Sequence, residues 1–354
     1  MSDEAARTGE IAPAHRFDSE TLRRYLAGSM PGAAGFGGEL QVRQFQGGAS
    51  NPTFLLTTQG AGGERRYVLR KKPPGPLLAS AHQVEREFRI MNALAASDVP
   101  VPTMRLLCED PEVIGTPFYV MDFLPGRIFR DARLPGMAPA ERAAIYDQLN
   151  ATLAKLHAVD FEGVGLGDFG RPGGYFERQI ARWTRQYRGA QTDEIPAMEA
   201  LINGLPARIP AETSVSIAHG DYRLENTMFA LDEPRLIAVL DWELSTIGHP
   251  LADLGYNAFL WRSHGEGWGT LDGVDFATSG IPDEAAYVET YCRRTGRGSI
   301  EDWPFYLAFS IFRLASISQG VYRRVLDGTV ASTREAVNGT AALAETALAI
   351  LEGG

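Results

Sequence analysis

The sequence is poor in cysteine and contains no long apolar run, and both absences limit what the chain can be. Its two cysteines, Cys108 and Cys292, show no metal-ligand spacing, so we interpret them as ordinary buried thiols in a reducing cytosol. No stretch approaches the roughly 18 consecutive apolar residues that a transmembrane helix requires. The N-terminus, whose residues 1–4 include Asp3 and Glu4, precedes no apolar segment, which argues against a secretory signal. We therefore expect a cytoplasmic protein that does not enter a membrane.

Positive charge is also in deficit. The 354 residues include 34 Lys and Arg against 44 Asp and Glu, a net charge of −10, which disfavours binding to nucleic acid. A local basic patch would still suffice for an anionic ligand. Hydrophobic residues make up 44% of the chain, which is enough for a sizeable core divided between two lobes or domains.

Strand patterns fill the first part of the chain and helical patterns the rest, which predicts an α+β protein. We interpret residues 1–34 as a tail and a helix, 35–124 as a small β-rich lobe with one main helix, and 125–354 as a larger, mostly helical lobe. Strands are predicted at 40–45, 54–58, 66–70, 113–114 and 117–121, and helices at 18–30, 81–96, 145–156, 174–189, 195–204, 284–295, 303–325 and 333–351.

The densest chemical signal is the run from His219 to Asn226, followed fifteen residues later by Asp241. Phosphoryl transfer needs one carboxylate to receive the proton of the attacking hydroxyl. It also needs a second carboxylate and an amide oxygen to hold Mg²⁺ on the nucleotide phosphates. Asp221, Asn226 and Asp241 are spaced to supply all three groups. Two short apolar runs around an Asp-Glu-Pro turn predict a hairpin between the two acidic motifs.

This set of motifs resembles the aminoglycoside phosphotransferase family, whose members are small-molecule kinases with a protein-kinase-like fold. His-Gly-Asp at 219–221 stands where protein kinases have His-Arg-Asp, and Asp-Trp-Glu at 241–243 stands in place of Asp-Phe-Gly. The blocks 239–256 and 175–183 extend the similarity towards kinase domains that accompany acyl-CoA dehydrogenases. The resemblance runs from about residue 40 to the C-terminus. It implies a bilobal protein-kinase-like fold, ATP and Mg²⁺ as cofactors, and a functional link to an acyl-CoA dehydrogenase.

A glycine-containing loop between the first two strands of the small lobe is a candidate cover for the nucleotide. Gly47 and Gly48 permit a tight turn whose N–H groups can cradle phosphate, and Ser50 and Asn51 can add side-chain donors. Two glycines at a hairpin are more often only a turn. Because the later motifs are present, we interpret this loop as nucleotide-binding.

Other residues of the small lobe have nucleotide roles that the resemblance implies. Arg70 occupies the strand position of the lysine that pairs with the phosphates, although two lysines follow it and solvated edge charges are the alternative. Glu87, on the next helix, is the expected partner of Arg70, with Glu85 as its rival. Asp122 and Leu124 belong to the hinge after the last strand, whose backbone groups would bind adenine.

The roles in the catalytic loop are also implied by the resemblance. Asp221 is the expected general base. Asn226 and Asp241 are the expected Mg²⁺ ligands, since Mg²⁺ accepts a few protein oxygens besides phosphate and water. His219 and Asp253 are interpreted as structural supports of the loop.

One arginine-rich helix is a candidate contact for the acceptor substrate. Four arginines recur at intervals of four, three and three, a spacing that places them on one face of the helix at 174–189. Such a stripe suits a polyanion such as the phosphates of coenzyme A, whereas the alternative is a solvated face paired with acidic side chains. These residues are Arg178, Arg182, Arg185 and Arg188.

The leading hypothesis is an ATP- and Mg²⁺-dependent phosphotransferase that acts on a hydroxyl group of a small molecule, with a hydroxyacyl-CoA as the first candidate acceptor. Aminoglycosides, choline, homoserine and sugars, which the resembled family also uses, are the alternatives. A nucleotide-binding regulator with little turnover belongs to a different class, but it is disfavoured because Asp221, Asn226 and Asp241 are all present. The sequence indicates neither an oligomeric state nor a choice between ATP and GTP.

Overall fold

The computed structural model describes residues 8–30, 36–46, 51–60, 63–75, 82–211, 214–264, 270–328 and 337–353. It confirms the predicted α+β fold. The chain divides into two compact units, a first unit of residues 1–128 and 225–244 and a second unit of residues 129–224 and 245–354. The domain boundaries expected after residues 34 and 124 stay predictions.

The first unit contains a six-stranded antiparallel sheet in the order β1-β2-β3-β4-β6-β5. Its strands are β1 Thr8–Gly9, β2 Leu40–Phe45, β3 Thr53–Gly60, β4 Gly63–Lys71, β5 Met104–Cys108 and β6 Phe118–Asp122. Along most of β3 every second side chain is buried, as expected of a strand with one face on a core. From this face, Phe54 and Leu56 enter a core that also contains Leu22 and Leu26.

Two helices accompany this sheet, α1 Ser19–Ser29 and α2 Val84–Leu94. The Asp18 side chain caps α1 by accepting the N–H of Glu20, which satisfies one of the donors that a helix start leaves open. α2 buries one apolar face and, with it, the side chain of Glu87. Both helices confirm the sequence prediction, although α2 is shorter than expected.

One predicted strand is wrong. Residues 113–114 form part of a turn, in which the N–H of Gly115 donates to the carbonyl of Pro111 at 2.7 Å. The apolar side chain of Ile114 packs into the core of the first unit, and this packing, not strand pairing, accounts for the apolar pattern at 113–114. On the side away from β4, β6 pairs with β5, a strand that the apolar pattern did not reveal.

A two-stranded hairpin, β8 Thr227–Phe229 and β9 Leu236–Val239, belongs to the first unit although it lies late in the chain. Its pairing confirms the hairpin predicted between the two acidic motifs. Arg127 and Phe229 exchange backbone hydrogen bonds of 2.7 and 2.9 Å, which attach the hairpin to the segment that follows β6. Asp241 follows directly after this anchored hairpin.

Helices build most of the second unit, namely α3 Pro139–His157, α4 Tyr175–Ala190, α5 Pro196–Gly204, α6 Pro250–Ala258, α7 Glu284–Thr295, α8 Trp303–Leu326 and α9 Thr340–Glu352. Two short strands, β7 Ser216–Ala218 and β10 Thr246–Gly248, pair antiparallel. The first half of α8 is buried all round because α4, α6 and α9 pack against α8.

The last helix was predicted from residue 333, but the structure begins it at Thr340, and 333–336 lie outside the described residues. Within the described parts of the chain, none of the helices has both the length and the apolar character needed to cross a bilayer.

The close approach of α6 to α8 depends on Gly255. A Cβ atom at this position would lie 2.6 Å from the carbonyl oxygen of Tyr306, which is closer than such atoms can pack. We expect Gly255→Ala to lower the free energy of unfolding by about 1–3 kcal/mol, because the two helices must move apart. Urea denaturation followed by circular dichroism measures this change.

Gly320→Ala, within α8, is the matched control. Nothing lies within 4 Å of a Cβ atom at this position. The higher helix propensity of alanine should therefore leave stability unchanged or raise it by up to about 1 kcal/mol. Equal losses of stability in the two variants would contradict the close packing at Gly255.

Candidate active site

The side chain of Arg70 joins three elements of the first unit. Arg70 lies on β4, and its Nε is 3.1 Å from a carboxylate oxygen of Glu87 on α2. Its Nη2 donates to Oδ1 of Asp241, after β9, at 2.8 Å. A carboxylate oxygen of Glu243, whose role the sequence left open, lies 3.9 Å from the same nitrogen. Strand β4, helix α2 and the end of the hairpin are therefore tied to one guanidinium group.

This cluster is short of positive charge. When all four groups are ionised, three carboxylates and one guanidinium give a net charge of −2, which one divalent cation would balance. Burial raises the pKa of the Glu87 carboxyl to about 7; Arg70 opposes this shift, while Asp241 and Glu243 reinforce it. Burial also disfavours the charged form of Arg70, but attraction by the carboxylates outweighs burial and raises the pKa of Arg70 above its usual value.

Glu87 is only 1% exposed, and further donors satisfy its carboxylate. It accepts hydrogen bonds from Nδ2 of Asn51 at 2.7 Å and from the Tyr119 hydroxyl at 3.1 Å. Oδ1 of Asn51 in turn lies 2.9 Å from Nδ1 of His82. The Asn51 side chain was expected to help bind phosphate, but in this structure its amide is hydrogen-bonded to Glu87 and positions that carboxylate.

The other expectations for the nucleotide loop and for α2 have different outcomes. Gly47, Gly48 and Ser50 lie outside the described residues, so their role in nucleotide binding stays a prediction. Glu85, the rival partner for Arg70, instead forms an ion pair with Lys72 at 2.5 Å.

The hairpin places Asn226 across from the residue that precedes Asp241. A short 3₁₀ turn, Leu224–Asn226, leads into β8, and the carbonyl of Asn226 accepts the N–H of Leu240 at 2.8 Å. Asp241 has a φ of +63°, a left-handed conformation that costs a non-glycine residue about 1–3 kcal/mol. Amide and carboxylate oxygens are ligands that Mg²⁺ prefers, so the chemistry of Asn226 and Asp241 fits a magnesium ion.

A cleft of about 180 Å³ lies next to this cluster, entirely within the first unit. Arg70 and Asp241 supply charged groups to its lining, and apolar side chains supply most of the remainder. The predicted hinge residues Asp122 and Leu124 also line the cleft. The carboxylate of Asp122 is held by two hydrogen bonds from Arg105, at 2.6 and 2.7 Å.

In the second unit, the chain leaves β7 into a loop that Asp253 holds in place. Oδ2 of Asp253 accepts the backbone N–H of His219 at 2.6 Å, and Oδ1 accepts that of Gly220 at 2.8 Å. Nδ1 of His219 accepts the backbone N–H of Asp221 at 3.1 Å. Gly220 has a φ of +81°, which glycine adopts at little cost. Three successive amides of this loop, which carries Asp221, are therefore fixed by His219 and Asp253.

Asp253 lies in the first turn of α6 and is 1% exposed. Burial alone would raise the pKa of its carboxyl, but interactions with His157 and His219 and the hydrogen bond from the Gly220 amide hold the pKa below its usual value. Nε2 of His157 lies 3.4 Å from the Asp253 carboxylate, and Nδ1 lies 2.7 Å from the Tyr291 hydroxyl. The brace of the catalytic loop is thus itself fixed by a second layer of side chains.

The side chains of Tyr256 and Arg223 contact Oδ1 of Asp221, the expected general base. The Tyr256 hydroxyl donates a hydrogen bond to this oxygen, and Nε of Arg223 lies 3.7 Å from it. Burial, reinforced by the charge of Asp221, raises the pKa of the Tyr256 phenol, so Tyr256 remains a hydrogen-bond donor at neutral pH. These contacts fix the orientation of the carboxylate.

Tyr256 and Arg313 contact the loop that carries Asp221, and neither residue was predicted from the sequence to belong to the site. Arg313, on α8, donates to the carbonyl of Gly220, and its guanidinium carbon lies 5.1 Å from the centre of the Tyr256 ring. The sequence held a signal for each. Tyr256 stands three residues after Asp253 and so lies on the same side of α6. Arg313 is a lone charge in the apolar first half of α8.

The four arginines of α4 share the exposed side of the helix but have different contacts. Arg178 donates to two carbonyls of the preceding loop, and Arg188 forms an ion pair with a glutamate of α5. The guanidinium carbon of Arg182 lies 5.3 Å from the centre of the Trp183 ring, and Arg185 is exposed. A role of this stripe in substrate binding stays a prediction.

These features define a class of protein. An antiparallel sheet unit with a buried arginine–glutamate pair and an acidic hairpin end, together with a helical unit that braces an aspartate loop, defines a kinase-like phosphotransferase. The profile of the phosphotransferase enzyme family, APH, matches residues 41–309. The chain belongs to this family.

Two curated relatives align with most of this chain. It is 44% identical to acyl-CoA dehydrogenase family member 10 of Mus musculus over 333 residues, which cover 93% of this chain and 30% of that protein. It is 45% identical to acyl-CoA dehydrogenase family member 11 of Homo sapiens over 329 residues, which cover 91% of this chain and 41% of that protein. The chain spans less than half the length of both relatives.

Solved structures show the same fold. A candidate aminoglycoside phosphotransferase from Ralstonia eutropha JMP134 has a TM-score of 0.86 and 48% identity, covering 95% of this chain and 99% of that one. A choline kinase from Cryptosporidium parvum Iowa II has a TM-score of 0.61 and 14% identity, covering 95% of each chain. At that identity the second likeness shows the fold alone.

The brace at Asp253 gives a prediction for stability and its pH dependence. Asp253→Asn places an N–H₂ group against a backbone N–H, so we expect a loss of about 1–3 kcal/mol at neutral pH. Because the folded-state pKa of Asp253 is lowered, its contribution is present above the unfolded pKa and is lost as pH falls through the folded pKa. The gap between the wild-type protein and the variant should therefore narrow below about pH 4. Urea denaturation at a series of pH values measures the gap.

Asp302→Asn is the matched control. Asp302 precedes α8 but makes no side-chain cap hydrogen bond, and it is exposed. Its substitution should change stability by no more than about 0.5 kcal/mol at any pH. A gap for Asp253→Asn that stays constant down to pH 3 would contradict the ionised brace.

Proposed function

We propose that this protein is an ATP- and Mg²⁺-dependent kinase that transfers the γ-phosphoryl group to a hydroxyl of a small molecule. The observation that carries the proposal is the cluster of Arg70, Glu87 and Asp241, with Asn226 across the hairpin. It combines a fixed cation for phosphate with oxygen ligands for a metal. The braced Asp221 lies only five residues before Asn226 in the chain.

The first unit supplies the nucleotide site in this proposal. The apolar part of the cleft suits an adenine ring, and its charged end suits the phosphates. The amides of Asp122 and Phe123 already donate to the carbonyls of Thr103 and Arg66, so Leu124 is the hinge residue whose amide is assigned to adenine. Arg70 would contact phosphate oxygens through charge-assisted hydrogen bonds.

Asn226 and Asp241 would hold Mg²⁺, and Glu243 lies close enough to the cluster to support it. When bound, the metal ion neutralises charge on the phosphate oxygens. Arg70 donates to Asp241 in this structure, and this contact keeps the carboxylate of Asp241 oriented. A divalent cation would relieve the excess negative charge of the three carboxylates.

Asp221 is assigned as the general base. Its carboxylate accepts the proton of the acceptor hydroxyl while that oxygen forms a bond to the γ-phosphorus and the bond from phosphorus to the β-bridging oxygen of ATP breaks. ADP and a phosphate ester are the products. Tyr256 and Arg223 hold Oδ1, which keeps the carboxylate oriented towards the hydroxyl during transfer.

A hydroxyacyl-CoA is our first candidate acceptor. The names of the curated relatives support it, since both are acyl-CoA dehydrogenase family members and the chain matches less than half of each. A phosphorylated hydroxyl is a better leaving group, which would prepare an acyl chain for a dehydrogenase or lyase and give the functional link. The name of the Ralstonia structure favours an alternative acceptor, an aminoglycoside.

Asp221→Asn tests the chemistry directly. We expect acceptor-dependent ADP release to fall by about 10²–10⁴-fold, because the amide cannot accept the proton. The affinity for ATP should be much less affected, because Asp221 does not line the cleft assigned to the nucleotide. The measurement is Mg²⁺-dependent ADP release with a 4-hydroxyacyl-CoA, a 3-hydroxyacyl-CoA, kanamycin, choline and homoserine.

The acceptor that supports turnover names the substrate class. Turnover that survives in Asp221→Asn would contradict the assignment of the base. ATP binding without turnover on any acceptor of the panel would favour the nucleotide-binding regulator over the kinase.

A further inference from the structure

A pair of arginines shares one tryptophan ring in the second unit. The guanidinium carbons of Arg182 and Arg313 each lie 5.3 Å from the centre of the Trp183 ring. Arg182 is exposed on α4, whereas Arg313 on α8 is 6% exposed. We call Arg182, Trp183 and Arg313 the double-arginine cluster.

Within the described parts of the chain, the charges of this cluster have no acidic partners. Among the residues that the structure describes, no carboxylate forms an ion pair with Arg182 or Arg313. Desolvation of the guanidinium, and secondly the neighbouring charge of Arg313, lower the pKa of Arg182. This differs from Arg188 on the same helix, which has a glutamate partner. Two like charges without a counter-charge form a site where an anion is stabilised.

Two buried donors of the cluster also find no acceptor among the described residues. Nε of Arg313 and Nε1 of Trp183 have no solvent exposure and no hydrogen-bond partner among the described residues. A buried donor without an acceptor costs about 1–3 kcal/mol, so such groups are uncommon unless they serve a ligand.

The cluster is connected to the proposed base through direct contacts. Arg313 donates to the carbonyl of Gly220 and lies 5.1 Å from the centre of the Tyr256 ring. The Tyr256 hydroxyl donates to Asp221. An acceptor bound at the cluster would therefore be held near the carboxylate that takes its proton.

We infer that the double-arginine cluster is an acceptor subsite that binds an oxyanion, a carboxylate or a phosphate, carried by the same molecule as the reactive hydroxyl. Arg182 contacts the oxyanion directly, and Arg313 stabilises it through its buried charge. This inference rests on the proposed function and adds to it a charge requirement for the acceptor. It disfavours polycationic acceptors, which the two guanidinium groups would repel.

Arg182→Gln tests the subsite with three acceptors of matched carbon skeleton. They are 4-hydroxypentanoate, which offers a carboxylate, 4-hydroxypentanoyl-CoA, which offers phosphates, and 1,4-pentanediol, which is uncharged. Binding is measured by calorimetry, and KM and kcat are measured where turnover occurs. A charge-assisted hydrogen bond makes binding roughly 10- to 100-fold tighter. We expect the variant to lose that factor in Kd and KM for at least one anionic probe, with kcat much less affected and the diol unchanged.

Arg293→Gln, an exposed arginine of α7 outside the proposed sites, is the control and should leave all three acceptors unchanged. The anionic probe that weakens in Arg182→Gln distinguishes a carboxylate from a phosphate ligand. Equal weakening of the diol, unchanged binding of both anionic probes in the variant, or no binding of either probe to the wild-type protein would overturn the subsite. Calorimetry distinguishes failure of the subsite from failure of the kinase proposal. If only the kinase proposal fails, the anionic probes still bind through Arg182, but ATP is not consumed.

Discussion

The buried ion pair between Arg70 and Glu87 is the interaction on which the proposed nucleotide site depends. An ion pair removed from water is tolerated only when further hydrogen bonds satisfy its partners, because the desolvation of two charges is costly. Asn51 and Tyr119 satisfy Glu87, and Asp241 binds the other end of the guanidinium. A sheet strand, a helix and a hairpin end are consequently fixed to one point. The strained backbone of Asp241 is held there, where its carboxylate can serve a metal ion.

In the second unit, a buried charge is likewise satisfied by hydrogen bonds, here from backbone N–H groups. A buried carboxylate, Asp253, organises the catalytic loop by accepting two successive amides, and His157 secures it from the other side. Asp221 is thereby presented on a rigid loop, with Tyr256 fixing one of its oxygens. Catalysis by positioning requires this rigidity, since phosphoryl transfer asks the protein for orientation and electrostatic stabilisation more than for covalent chemistry. The same contacts lead on to the double-arginine cluster, which would add selection of the acceptor by charge.

Much of the fold was predictable, because strand alternation, helix caps and the Asp-Glu-Pro turn are local signals. Strand β5 was missed and residues 113–114 were misassigned, because burial of Ile114 produces the same apolar pattern as a strand. Long-range partners were the hardest to foresee. The commitment of Asn51 to Glu87 joins residues 36 positions apart, and no local spacing encodes it. Family membership and fold class are confirmed, whereas the cytoplasmic location and the individual site roles stay predictions.

The most direct test of a nucleotide and metal site at the Arg70 cluster is calorimetric titration of ADP with and without Mg²⁺, on the wild-type protein and on Asp241→Asn. If the three carboxylates around Arg70 create a need for a divalent cation, Mg²⁺ should tighten ADP binding to the wild-type protein by about tenfold or more. The variant should bind ADP but lose most of that enhancement, because it lacks a charged metal ligand. The same dependence on Mg²⁺ in both proteins, or no binding of ADP to the wild-type protein, would contradict the site.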